Sequence, residues 1–129
     1  MKKPLVEEWI EKGKQDLIAA KILLKKKRFL DLVLVHIYQA MEKYIKGFLM
    51  YNGWKLKKVH DLEELLNEAI NYNIFFNNFL DFGRILTASY LESRYPLGQS
   101  SAHSRAEVKE ILKKSQEIIN KIEEFLKIE

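Results

Sequence analysis

The groups in this 129-residue chain best suited to chemistry are one arginine and a few histidines, because the chain has no cysteine. Arg94 comes first. A guanidinium is a fixed fork of donors that matches phosphate oxygens, and Arg94 stands between Tyr90 and Tyr95 at the edge of a loop-forming run, Tyr95-Pro96-Leu97-Gly98-Gln99-Ser100-Ser101. His103 follows that run. A histidine near its ordinary pKa of ~6.5 can take and return a proton, while an arginine stabilises charge on phosphorus oxygens. Arg94 and His103 are therefore the candidate catalytic pair of a metal-free attack on a phosphodiester. The competing reading of Arg94 is structural: it would order its loop by bonding carbonyls or a carboxylate.

The remaining candidates are binding groups. Lys55, Lys57 and Lys58 with His60 form a short basic stretch, and Lys25-Lys26-Lys27-Arg28 forms another. Such clusters attract phosphates, but they also occur as solvated helix ends, where cations favour the C-terminal dipole. Arg94, Tyr95, His60, Lys57 and Lys58 are taken as the phosphate-binding set. His60 is also placed to order the loop before a helix cap. Trp54 reads as a loop anchor before a base-stacking platform. His36, on an apolar helix, reads as a core or interface residue. Asp16, Gln39, Glu42 and Lys43 read as a polar network between two packed helices. The sequence has no glycine-rich phosphate loop, no His–carboxylate spacing for a metal, and no Ser/His/Asp signature, so neither a metal nor another cofactor is expected.

Composition bounds what can position these groups. The length is that of one domain, 1–129, and apolar and charged fractions of 47% and 31% are those of a globular protein. Met1 to Glu8 turns acidic where a signal peptide would be apolar. The longest apolar run, Leu32 to Val35, falls far short of the ~20 residues of a membrane span. A cytoplasmic protein without membrane contact is expected. Charge is uneven: residues 1–60 carry 14 Lys/Arg against 6 Asp/Glu, and residues 61–129 carry 8 against 12.

With two prolines and five glycines, little interrupts helices, and no stretch alternates with period two. A first helix is predicted from about Leu5 to Lys27, with Trp9, Gly13, Leu17, Ala20 and Leu24 on one stripe. A second runs from an Asp31 cap to Tyr51, stopped by Asn52-Gly53, with Leu32, Val35, Tyr44 and Phe48 on a broad buried face. A third begins at the Asp61 cap, with Glu64 in the capping-box position, and ends by Asn71 to Asn73. A fourth covers Ile74 to Ser93, so apolar around its circumference that it is either buried or faces another subunit. A fifth opens on the capping box Ser104-Arg105-Ala106-Glu107 and reaches Lys127. Helices joined by short loops favour antiparallel neighbours, so the fold class is all-α: an up-and-down four-helix bundle with an additional short helix. Gly13, Gly47 and Gly83 lie inside helices, where close helix–helix approach would compensate their low propensity. Strict alternation of direction would place the loops after the second and fourth helices at one end, with Lys55, Lys57, Lys58 and His60 near Arg94 and His103.

Four segments, in order, resemble the HEPN family, and in particular the branch associated with minimal nucleotidyltransferases. They are Trp9-x3-Gly13-x2-Asp16-Leu17-x2-Ala20-x2-Leu23, then Gln39-Ala40-Met41-Glu42-Lys43-Tyr44-Ile45-Lys46-Gly47, then His60-Asp61-Leu62-x2-Leu65-Leu66, and finally Tyr90-x3-Arg94-Tyr95-Pro96. The resemblance implies a helical bundle, usually dimeric, with a role around nucleotides or RNA. It implies a minimal nucleotidyltransferase as partner in a two-component, toxin–antitoxin-like system. Many family members are ribonucleases using Arg-x(4 to 6)-His. Here eight residues separate Arg94 from His103 and seven separate Arg28 from His36, so the expectation is an accessory binding protein, with an altered-site ribonuclease or a ligand-free dimeric module as the alternatives.

Overall fold

The structure is a computed structural model, and it describes residues 4–26, 29–59, 61–95 and 103–127. Its elements are α1 (Pro4–Lys25), α2 (Leu30–Tyr51), α3 (Leu62–Ile70), a 3-10 helix (Ile74–Phe79), α4 (Leu80–Arg94) and α5 (Arg105–Leu126). The described residues contain no strand, as the sequence predicts.

Periodicity and caps explain most of these elements. On α1, Val6, Ile10, Gly13, Leu17, Ala20 and Leu24 are buried at three- and four-residue steps. On α5, Val108, Ser115, Ile118, Ile119, Ile122 and Leu126 do the same. The capping box that opens α5 is complete: Glu107 N–H donates to Ser104 Oγ at 3.1 Å and Ser104 N–H to Glu107 Oε1 at 3.0 Å. The Asp61 carboxylate opens α3 by accepting from Glu63 N–H at 2.9 Å. Glu64, in the capping-box position, is exposed, and among the described residues the side-chain cap of α3 is this single bond.

α2 is the spine of the bundle. From Val33 to Leu49 it buries residues on every side, Tyr44 and Lys46 included. Gly13 and Gly47 are where α1 lies closest on it: a Cβ at Gly13 would come within 2.8 Å of the Tyr44 ring, and one at Gly47 within 2.8 Å of Ile10. These two contacts make α1 and α2 antiparallel. Phe48 meets Phe76 at a ring-centroid distance of 4.9 Å, and Tyr38 stacks on Tyr90 at 3.9 Å, so α4 also runs against α2. Val6 and Leu126 line one concavity while Leu24 and Leu112 line another, which makes α5 antiparallel to α1. The long helices therefore run up, down, up and down, with α3 as the short addition.

Four expectations need correcting. Asp31 is not the cap of α2; the helix starts at Leu30, and the cap position is Phe29, in a left-handed conformation (φ 57°) and without a side-chain capping bond. Leu32, expected in the core, is 47% exposed, because the α1 and α4 contacts of α2 fall on other faces. The predicted fourth helix is two elements. Its first turns tighten into the 3-10 helix, which Asn73 caps by accepting from Phe75 N–H at 2.9 Å, and this lets Phe75, Phe76 and Phe79 form a cluster with Phe48 and Phe125. Of the two readings of this apolar segment, burial accounts for its phenylalanines: Phe76 is fully buried, and Phe75 and Phe79 are partly buried against the core.

The fourth correction concerns the ends of the bundle. Because α4 runs against α2, the C-terminal end of α4, with Arg94, lies toward the N-terminal end of α2. The loop after α2 leaves the opposite end and returns alongside the helix, so that Leu62 meets Tyr38 through its backbone. That return is itself a pass along the bundle, so alternation holds for the four long helices and fails for all five.

A candidate anion cleft between α1, α2 and α4

Trp9 from α1, Gln39, Glu42, Lys43 and Lys46 from α2, and Tyr90 and Arg94 from α4 line a cleft of about 800 Å³, with Asp61 at the start of α3. The helix period brings the α2 groups to one side, since residues 39, 42, 43 and 46 are three or four apart. The antiparallel α4 then sets Arg94 across from them.

Most charges in the cleft are neutralised. Lys46 Nζ donates to Glu42 Oε2 at 2.7 Å, with the two side chains 3% and 7% exposed, and the ammonium lies 5.3 Å from the Trp9 ring centre. Lys43 Nζ pairs with Asp16, whose other carboxylate oxygen meets His36 Nδ1 at 3.0 Å. The polar network expected between two helices is therefore Asp16, Lys43 and His36, while Gln39 and Glu42 face the cleft. Arg94 differs from the lysines. It donates to the Tyr90 hydroxyl and lies 5.6 Å from the Tyr90 ring centre and 5.5 Å from that of Tyr95. Among the described residues no carboxylate pairs with it. The Tyr90 hydroxyl and then Tyr95 hold the guanidinium still more firmly in its charged form.

His103 is turned elsewhere. Its Nε2 lies 3.7 Å from Glu92 Oε2, with the imidazole side chain 11% exposed. Glu92 and Arg94, two residues apart on one helix, point roughly 200° apart. The structure thus places Tyr95 beside Arg94 and keeps His103 on a different face of α4. Lys57 and Lys58 are exposed and, with the rest of that lysine stretch, are not among the cleft's lining residues. His60 lies outside the described residues. Trp54 is buried and anchors the segment after α2. Sequence reasoning missed Trp9 and Lys46 as cleft residues; the signal was Lys46 four residues after Glu42 on a mostly apolar helix, which demands a buried partner for each charge. Among the described residues no group of three acidic, histidine or cysteine side chains could hold a metal ion, and no described helix is long and apolar enough to cross a membrane.

Tyr38, at the back of the cleft, has its hydroxyl pushed up to about 12, first by burial. Tyr44 is raised too, by burial and then by the Glu123 carboxylate. Both folded values exceed the ordinary ~10, so the folded chain holds these protons more tightly than the unfolded one. Their contribution to stability is full below pH ~10 and is lost as pH rises through the folded values. In an alkaline titration, two of the six tyrosines should ionise together with the loss of helical circular dichroism. Ionisation of every tyrosine with the helices intact would contradict this.

The HEPN domain family model matches residues 6–125, so the chain belongs to the HEPN family. Two solved structures share its fold. The crystal structure of TT1696 from Thermus thermophilus superposes with a TM-score of 0.77 at 22% identity, covering 92% of this chain and 96% of that one. ST0689, an archaeal HEPN homologue, superposes with a TM-score of 0.71 at 25% identity, covering 95% and 97%. No curated protein matches the chain in sequence.

Proposed function

We propose that this HEPN protein is a binding subunit rather than a nuclease, and that its cleft takes a phosphate-bearing ligand, a nucleotide or an RNA end. The observation that carries this reading is Arg94: a guanidinium at the cleft mouth, braced by two tyrosines and unclaimed by any described carboxylate. Trp9 and Gln39 supply an aromatic face and an amide for the rest of a nucleotide. The ordered motifs that resemble the nucleotidyltransferase-associated branch support such an enzyme as the partner, in a two-component, toxin–antitoxin-like pair.

Titrating the protein with a nucleoside triphosphate, followed by tryptophan fluorescence, should show binding that weakens with salt. Arg94→Ala should lower the affinity about 10- to 100-fold, the worth of one or two charge-assisted hydrogen bonds, with unchanged circular dichroism. Absence of salt-dependent binding would remove the reading, and unfolding of Arg94→Ala would make the residue structural. Cleavage of single-stranded RNA in EDTA, abolished by Arg94→Ala or His103→Ala, would establish the ribonuclease instead. Failure to associate with a nucleotidyltransferase encoded beside it would remove the partner.

The protein is also expected to form a two-fold dimer, the commonest closed assembly. Ile85 on α4, 57% exposed, offers apolar surface for such a contact. Light scattering at micromolar concentration should return twice the 15.3 kDa chain mass. The chain mass alone, constant on dilution, would exclude the dimer.

A further inference from the structure

A second concavity, a groove of about 490 Å³, lies between α1 and α5 and shares no lining residue with the Arg94 cleft. Leu112 of α5, partly exposed, and the edge of the buried Leu24 of α1 form its floor, and Lys21, Lys109 and Lys113 stand along it. Both α5 lysines are exposed, as is Lys21, and no ion pair among the described residues engages any of the three. Glu117, one turn beyond Lys113, is the acidic residue in the lining. The α5 wall reaches from Lys109 to Asn120, which at helical rise is ~16 Å, about three turns.

An apolar floor with cationic walls specifies its occupant from both sides. Leucine side chains gain by leaving water only against other apolar groups, while lysine ammonium groups attract carboxylates or phosphates and lay their methylene stems over apolar neighbours. A nucleic-acid backbone would satisfy the ammonium groups and leave Leu112 and the methylene stems of the lysines facing polar atoms. A helix with leucines on one stripe and glutamates beside it satisfies both. We propose that the α1/α5 groove is a docking site for an acidic amphipathic helix of a partner protein, seated for about three turns, with its carboxylates toward Lys109 and Lys113 and away from Glu117. This surface is independent of the cleft, so a partner can occupy it while a phosphate ligand is bound.

The test is a titration of the isotopically labelled full chain with a synthetic helical peptide carrying leucines at i, i+3 and i+7 with flanking glutamates, followed by NMR. Amide shifts should concentrate at Lys21 to Leu24 and Lys109 to Asn120, and should weaken with salt. Lys109→Glu with Lys113→Glu should lower the affinity at least about tenfold, with circular dichroism and nucleotide binding at the Arg94 cleft unchanged. Leu112→Ala should weaken it several-fold. No shifts at millimolar peptide would overturn the proposal. So would equal binding of a peptide with its leucines replaced by serine, or displacement of the peptide by a single-stranded RNA oligonucleotide at lower concentration, since either would make the groove a charge-only surface.

Discussion

Glu42→Leu should cost about 3–5 kcal/mol of folding free energy, because it leaves the Lys46 ammonium buried without the carboxylate that neutralises it. The two side chains are only 3% and 7% exposed, so water cannot take over, and the Trp9 ring offers a quadrupole where a full charge is needed. A domain of this size holds ~5–15 kcal/mol in all, so the single variant stands near the edge of folding. The double variant Glu42→Leu with Lys46→Met should recover most of the loss, since well-packed apolar groups often replace a buried pair at little cost. Urea denaturation of the wild type and both variants measures this directly. A loss below ~1 kcal/mol for Glu42→Leu would mean that the pair is hydrated in solution. The double variant also tests the site: it alters the cleft floor without touching Arg94, so nucleotide affinity should change far less than in Arg94→Ala.

Phe76→Ala should be comparably damaging, at about 3–5 kcal/mol, from lost transfer energy and the cavity left behind. Phe76 is fully buried and touches elements far apart in the chain: Phe48 on α2 at 4.9 Å and Phe125 on α5 at 6.1 Å between ring centres. The same change at Ile74, two residues earlier and 73% exposed, should stay within ~0.5 kcal/mol. If the two substitutions cost the same in thermal or denaturant unfolding, the aromatic cluster does not hold the 3-10 helix against the bundle. Because the cluster sits at the end opposite Arg94, Phe76→Ala should lower stability while leaving nucleotide affinity in the folded fraction unchanged.

The family was legible because its motifs are local. Gln39 to Gly47 lies within one helix, and the order of four such segments survives whatever packing they adopt. Asp16 and Lys43 were legible as members of an interhelical polar network for the same reason, since two antiparallel stripes meeting at small residues leave few registers open; which of the four expected residues pair was decided by the packing. His36 was harder: it completes the Asp16 pair, yet its neighbours in sequence are apolar and point to a core position. Lys46 was harder still, because a lysine on a helix reads as solvated unless the element is buried on every side, and that depends on what packs around α2.

What the sequence determined by itself was the existence of every long helix, the caps at Asp61 and Ser104, and the stripe of α1. Each of these is an i, i+3, i+4 relation within one segment, and local hydrogen bonds and periodicity settle it. Three things were left to the tertiary structure. One is the division at Leu80, where buried aromatic contacts with Phe48 and Phe125 outweigh continuous α-helical propensity. Another is the return of the segment after α2 along that helix, which removes the lysine stretch from the place that strict alternation assigned it. The last is the separation of Arg94 from His103. Whether two side chains joined by a loop converge depends on the face from which each leaves its helix and on the groups waiting there, and here Tyr90 holds one while Glu92 holds the other.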